Sequence, residues 1–183
     1  GGAGTDTLDI NYSGITSLDS FTITHNNGTV TLTDSSGGSI SYDVDNLENL
    51  AVNDIAYTKA NNTYWNSTEK VLYYYKGTSL GSNTITDLSG LAASDNLTIK
   101  GTNEADSANL NIDRSSALTG NLTINFGDSE DNLYSAKFKN GDSIDMGAGD
   151  DNVNLMLTGS NGTPTISAAN LSKLDGGAGS DTL

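Results

Sequence analysis

An eight-residue motif occurs twice in this chain and restricts its fold more than any other feature. Gly1-Gly2-Ala3-Gly4-Thr5-Asp6-Thr7-Leu8 and Gly176-Gly177-Ala178-Gly179-Ser180-Asp181-Thr182-Leu183 differ only in Thr5 against Ser180. Their offset is 175 residues, which predicts one unit of a tandem array with an end motif marking each join. The chain starts and stops inside these motifs, as expected of a segment from a longer protein. Related turns recur from residue 97 onward as rows, each an apolar strand, a Gly/Asp turn and a second strand. Leu97-Thr98-Ile99-Lys100 leads to a turn ending at Asp106, Leu122-Thr123-Ile124-Asn125 to the turn 127–131, and Ser143-Ile144-Asp145-Met146 to the turn 147–151. Leu174-Asp175 leads to 176–181. The turn aspartates fall 25, 20 and 30 residues apart, irregular spacing that suits coils aligned on one face and variable on the other.

Alternation supports the row reading. In Leu122-Thr123-Ile124 and Asn152-Val153-Asn154-Leu155 every second side chain is apolar, which sends those residues to one interior. One coil has too little apolar surface to fold alone, so rows must stack. The first half differs. Residues 21–24 and 29–33 read as strands around the turn 25–28, followed by strands at 39–42, 49–52, 55–58 and 71–75. Two readings remain for residues 10–90: an antiparallel meander or small sandwich, or wider, irregular coils of the same stack. Neither half shows a convincing amphipathic helix, and the only stretches with room for a short one are 88–97 and 166–174. The fold class is therefore all-β: residues 1–9 form a joining turn, 10–90 an antiparallel region, and 91–183 a parallel β-solenoid of β-roll character.

Composition narrows the chemistry. Cysteine is absent, which excludes disulfides and thiolate metal sites, and a single histidine, His25, excludes a multi-histidine zinc centre within the chain. With 21 Gly and one Pro, tight turns between strands are favoured over helices. The chain has 8 Lys and Arg against 23 Asp and Glu, a formal charge of −15. That excess repels nucleic acid and anionic lipid. It suits a hard divalent cation, although acidity that serves only solubility gives the same composition. No apolar run is long enough to span a bilayer, so direct membrane insertion is not expected. The first residues do not have the regions of a signal peptide.

Three segments match Gly-Gly-x-Gly-x-Asp-x-apolar: 1–8, 176–183, and 147–153 without the first glycine. A fourth, 127–133, is degenerate, with Phe126 and Ser129 in place of glycines, and 101–110 is weaker still. Glycine allows the sharp turn that aims carbonyl oxygens inward. Aspartate adds a hard anionic ligand, and Ca²⁺ accepts about six to eight oxygens in loose geometry. One turn supplies too few, whereas two stacked turns can hold an ion between them, so that binding and stacking become one event. These segments resemble the nonapeptide repeats of repeats-in-toxin (RTX) proteins, a calcium-binding β-helix signature. The resemblance implies Ca²⁺ as cofactor. It places ligands at Asp6, Asp131, Asp151 and Asp181, with the turn residues Gly2, Gly4, Gly127, Gly147, Gly149, Gly177 and Gly179 shaping the sites. Asp128, Glu130, Asp142, Asp145, Asp150 and Asp175 are expected to be solvated or to lie behind the ligands. The chain departs from the family pattern in having spacers between its repeats, which implies fewer complete sites.

The resemblance also implies a secreted bacterial protein, at the cell surface or extracellular, that folds on meeting calcium. The expected role is a structural module of an adhesin stalk, S-layer or fibre, with sister modules as partners and no enzymatic activity. A second reading is a glycan- or surface-binding module using Trp65 and Tyr73 to Tyr75, although such clusters are more often core. A third is the calcium-binding accessory region of a secreted enzyme or toxin. His25 beside an Asn-Gly turn, with no Gly-x-Ser-x-Gly elbow, does not suggest a catalytic triad.

Overall fold

The structure, a computed structural model, describes residues 3–77, 79–112, 114, 116–139, 141–156 and 171–182. Those residues form sixteen strands, one short helix (Ser82–Thr86) and a 3-10 turn (Leu18–Ser20), so the all-β expectation holds.

The first strand, β1 (Thr7–Ile10), pairs in parallel with a later one, and a separate antiparallel sheet follows it in sequence. That sheet is β2 (Phe21–Asn26), β3 (Thr29–Asp34) and β4 (Ser39–Asp43), in the order β2-β3-β4. Asn27 and Gly28 both have positive φ, 48° and 81°, which makes the two-residue hairpin turn that matches strand twist. His25 therefore lies within β2, which runs two residues beyond the strand expected at 21–24, and its Nε2 accepts the Gly28 N–H at 3.2 Å. In β3, Val30 and Leu32 are fully buried while the threonines that alternate with them, Thr29, Thr31 and Thr33, are not.

A meander comes next: β5 (Asn49–Val52), β6 (Ile55–Ala60), β7 (Thr63–Asn66) and β8 (Val71–Tyr74), each antiparallel to the one before. β5 also receives β1, with Thr7 opposite Asn49 and Ile10 opposite Val52. From β8 onward the chain runs in rows. β9 (Ser79–Leu80), β10 (Leu97–Lys100), β11 (Ser107–Asn109), β12 (Leu122–Asn125), β13 (Asn132–Lys137), β14 (Asp142–Asp145), β15 (Asn152–Met156) and β16 (Leu171–Asp175) pair only in parallel with one another and with β8. The result is a mixed nine-stranded sheet, β1-β5-β6-β7-β8-β10-β12-β14-β16, and a parallel four-stranded sheet, β15-β13-β11-β9.

The register puts like on like. Leu72, Ile99, Ile124, Ile144 and Leu174 form one apolar ladder, and Leu80, Ala108, Leu133 and Val153 form another across from it. All except Leu174 are buried. Each Leu, Ile or Val so buried contributes about 1.5–3 kcal/mol, and each new row lengthens the ladder by one rung. The most hydrophobic stretch, residues 71–75, sits where the nine-stranded sheet is covered on both faces. Leu72 and Tyr74 join the core facing the four-stranded sheet; Tyr73 and Tyr75 join a second core under β2-β3-β4.

Two sequence expectations shift. The boundary near residue 90 does not divide the sheets, because β8 and β9 precede it and already pair with β10 and β11. The region 10–90 thus contributes an antiparallel sheet and a meander, and its last strands open the parallel rows. The short helix lies at Ser82–Thr86 rather than in 88–97, where the chain makes turns. Residues 171–174 belong to β16, and 166–170 fall outside the described residues.

Candidate metal centre

The turns between the two sheets bring four aspartates into a column. Asp106 N–H donates to Asp131 Oδ1 at 2.7 Å, Asp131 N–H to Asp151 Oδ1 at 2.8 Å, and Asp151 N–H to Asp181 Oδ1 at 3.2 Å. Each aspartate carbonyl in turn accepts from the next row. The donors are Asn132 N–H to Asp106 (2.9 Å), Asn152 N–H to Asp131 (2.9 Å) and Thr182 N–H to Asp151 (2.8 Å). Asp106, Asp131 and Asp151 are buried, and Asp181, in the last row, is exposed. A carboxylate here does the work of a backbone carbonyl, capping the amide of the row before it.

Glycine is required where these turns stack. A Cβ on Gly147 would lie 1.9 Å from Gly127 O, and one on Gly177 1.5 Å from Gly147 O. At the fourth position of the motif, Gly4, Gly149 and Gly179 have φ of 141°, 150° and 147°. Ser129 takes φ 149° at the equivalent place. The degenerate turn therefore shares the fourth-position backbone of the complete ones, although Gly127 lacks the positive φ of Gly147 (94°) and Gly177 (86°), and its serine bears the strain that glycine avoids.

The electrostatics of the column are unfavourable as it stands. Asp131 Oδ2 and Asp151 Oδ2 are buried and accept no hydrogen bond. Burial raises the Asp131 carboxyl, and the charges of Asp106, Asp151 and Asp128 add to it, so that it reaches about 7 despite the hydrogen bond from the Asp106 amide. Burial also raises Asp151, with Asp181 and Asp150 adding to the effect against the Asp131 amide. Two unpartnered, desolvated carboxylate oxygens are donors of the kind a hard cation such as Ca²⁺ takes. Among the described residues no three His, Asp or Glu side chains gather as a ready-made ion site. An ion there would share carboxylate and backbone oxygens.

A pH dependence follows. A carboxyl raised in the folded state binds its proton more tightly there than in the unfolded chain, where its value is near 3.8. Its stabilising effect is complete below that value and is lost as pH rises through about 7. Without calcium, stability should fall by a few kcal/mol, order of magnitude, between about pH 4 and pH 7. Melting curves in EDTA across that range, for the protein and for Asp131→Asn, check this. The substitution should remove much of the slope, and an unchanged slope would acquit Asp131.

Of the sequence-derived site residues, Gly127, Asp131, Gly147, Gly149, Asp151, Gly177, Gly179 and Asp181 stack together. Asp6 and Gly4 lie at the opposite edge of the nine-stranded sheet, and Gly2 falls outside the described residues. Asp6 nevertheless makes the same pair of bonds as the column. Its N–H donates to Glu48 Oε2 at 2.9 Å and its carbonyl accepts Asn49 N–H at 3.0 Å. Glu48-Asn49 thus stands where Asp131-Asn132 stands for Asp106. Glu48 carries no Gly/Asp signature, so only the acidic residue directly before a strand marked it. Asp106 was visible as a turn end but not as a full member of the column.

Asp142 corrects the expectation of a solvated carboxylate. Its side chain is fully buried and bonded to Arg114 Nη2 at 2.7 Å. Trp65, Tyr73, Tyr74 and Tyr75 are all at most 3 % exposed, and the Trp65 Nε1–H donates to Ser89 O at 2.8 Å. They are core residues, without a free face on which a sugar could stack. No helix among the described residues is long and apolar enough to cross a membrane. In comparisons with known proteins, no family, no curated protein and no solved structure matches this chain.

Proposed function

We propose that this chain is a calcium-dependent structural module of a secreted bacterial surface protein. In this reading the parallel rows are a short β-solenoid of RTX type, and Ca²⁺ is a folding cofactor held at the stacked Gly/Asp turns. The observation that carries the reading is the aspartate column, in which Asp131 and Asp151 each keep a buried oxygen without a hydrogen bond. The ion would be held by Asp131, Asp151 and Asp181 with carbonyl oxygens of turns 127–131, 147–151 and 176–181, and would supply positive charge that lets adjacent carboxylates stay ionised. The protein's own residues supply the rest: the aspartates fix row register, the glycines allow close approach, and the apolar ladders hold the rows together. The burial of Trp65 and Tyr73 to Tyr75 favours this scaffold over a glycan platform built on them. Sister modules are the expected partners and the cell surface the expected location.

The test is thermal melting by circular dichroism in EDTA, then with Ca²⁺, with Mg²⁺ as control. An ion that binds only the folded state, present at about a thousand times its Kd, adds about 4 kcal/mol. For a chain of this size that raises Tm by about 8–16 °C. Equal melting in EDTA and saturating Ca²⁺ would rule out the metal as part of the fold.

A further inference from the structure

We infer that consecutive copies of this chain join through a single shared strand, in register and without a linker. The inference rests on the module reading above, and the partner is a second copy beginning 175 residues on.

The argument comes from the two near-identical octapeptides, which the fold uses in complementary ways. At the C-terminal copy the motif is bonded to the row before it. Thr182 N–H donates to Asp151 O at 2.8 Å, Thr182 O accepts Val153 N–H at 2.8 Å, and Asp181 Oδ1 accepts the Asp151 amide. At the N-terminal copy it is bonded to the row after it. Asp6 O accepts Asn49 N–H and Ile10 O accepts Asn53 N–H, each at 3.0 Å, and the Asp6 amide donates to Glu48.

These two sets of bonds do not compete. In a strand, successive residues address opposite edges, so with Asp6 and Ile10 bonded toward β5, Thr7 and Asp9 address the other edge. No described strand occupies that edge, since β1 ends the nine-stranded sheet. Thr182, the counterpart of Thr7, uses its N–H and C=O toward β15. Gly4 and Gly179 share the same turn conformation, with φ of 141° and 147°. One octapeptide can therefore make both sets at once. The four-stranded sheet of one copy would then run through that strand into the nine-stranded sheet of the next. The carboxylate column would continue from Asp151 through Asp181, which is also Asp6 of the next copy, to that copy's Glu48.

The test compares three chains: residues 1–183 alone, residues 1–175 followed directly by residues 1–183, and the same double chain with the central octapeptide replaced by an equal length of Gly and Ser. The direct double chain should melt in one transition at least 5 °C above the single copy, and small-angle scattering should fit one rigid particle. The Gly/Ser chain should behave as two independent copies. Thr7→Pro in the second copy of the direct double chain, the position that serves there as Thr182 of the first, removes the donor to the first copy's Asp151 and should split the transition. Thr7→Pro in the single chain, where that amide faces the open edge, should move Tm by under 2 °C. Melting of the direct double chain at the single-copy temperature, with scattering from two loosely tethered bodies, overturns the shared strand. Running every chain in EDTA and in Ca²⁺ separates the two readings. Coupling without a calcium effect removes only the metal, and a calcium effect without coupling removes only the seam.

Discussion

Arg114→Leu is expected to destabilise the protein by about 3–5 kcal/mol, the usual result of leaving one partner of a buried ion pair without the other. Asp142 is fully buried and the Arg114 side chain is 6 % exposed. Asp142 Oδ1 accepts both Arg114 Nη2 and the Leu122 N–H, each at 2.7 Å, and Oδ2 accepts the Lys139 N–H at 2.8 Å. Arg114 Nη2 also donates to Gly120 O at 2.9 Å. The pair thus fastens the segment before β12 to the start of β14, so its loss should loosen two rows together. Urea unfolding of Arg114→Leu, Asp142→Asn and the double variant measures the effect. The double variant should recover part of the loss, because the uncompensated charge is gone while the asparagine oxygen still accepts one of the two amides. A single-variant effect below about 1 kcal/mol would mean that the segment can relax enough to hydrate Asp142.

Gly149→Ala should destabilise by about 3 kcal/mol or more, from two separate causes. Alanine at φ 150° is strained, and its Cβ would lie 1.8 Å from Ser129 O, so the turns must part. If the proposed calcium site lies between these turns, parting them should lower calcium affinity along with stability. The reverse change one row earlier, Ser129→Gly, should stabilise by about 1 kcal/mol, because φ 149° favours glycine. Chemical denaturation with and without Ca²⁺ checks both. Tolerance of Gly149→Ala would show that the stack is looser than 1.8 Å implies.

The row pattern was legible because parallel stacking repeats the same chemistry at each rung. Alternation identified Leu122, Ile124 and Val153 correctly as inward positions, and the Gly/Asp turns fell between the two strands of each row. Residues 71–80 were harder, since Val71 to Tyr75 is apolar on both faces and shows no alternation to read. Both faces are covered there, so periodicity carries no information about direction or partner. Strand β9, two residues long, is below the length at which any pattern appears. The Arg114–Asp142 pair was hidden for another reason: its members lie 28 residues apart, in segments whose approach depends on tertiary structure. Glu48 was hidden because its role comes from its place before β5, and one methylene more than aspartate is no signal in a sequence.

The column gives the stack a sense, like the thread of a screw. Every rung is written the same way round: the amide of an earlier aspartate faces forward, and the carboxylate of a later residue faces back. Turning one copy end for end would set amide against amide or carboxylate against carboxylate. A twofold pairing through either end therefore opposes like groups, whereas a copy arriving in the same direction finds donor against acceptor. A line built on these ends would be polar, with one distinguishable growing tip.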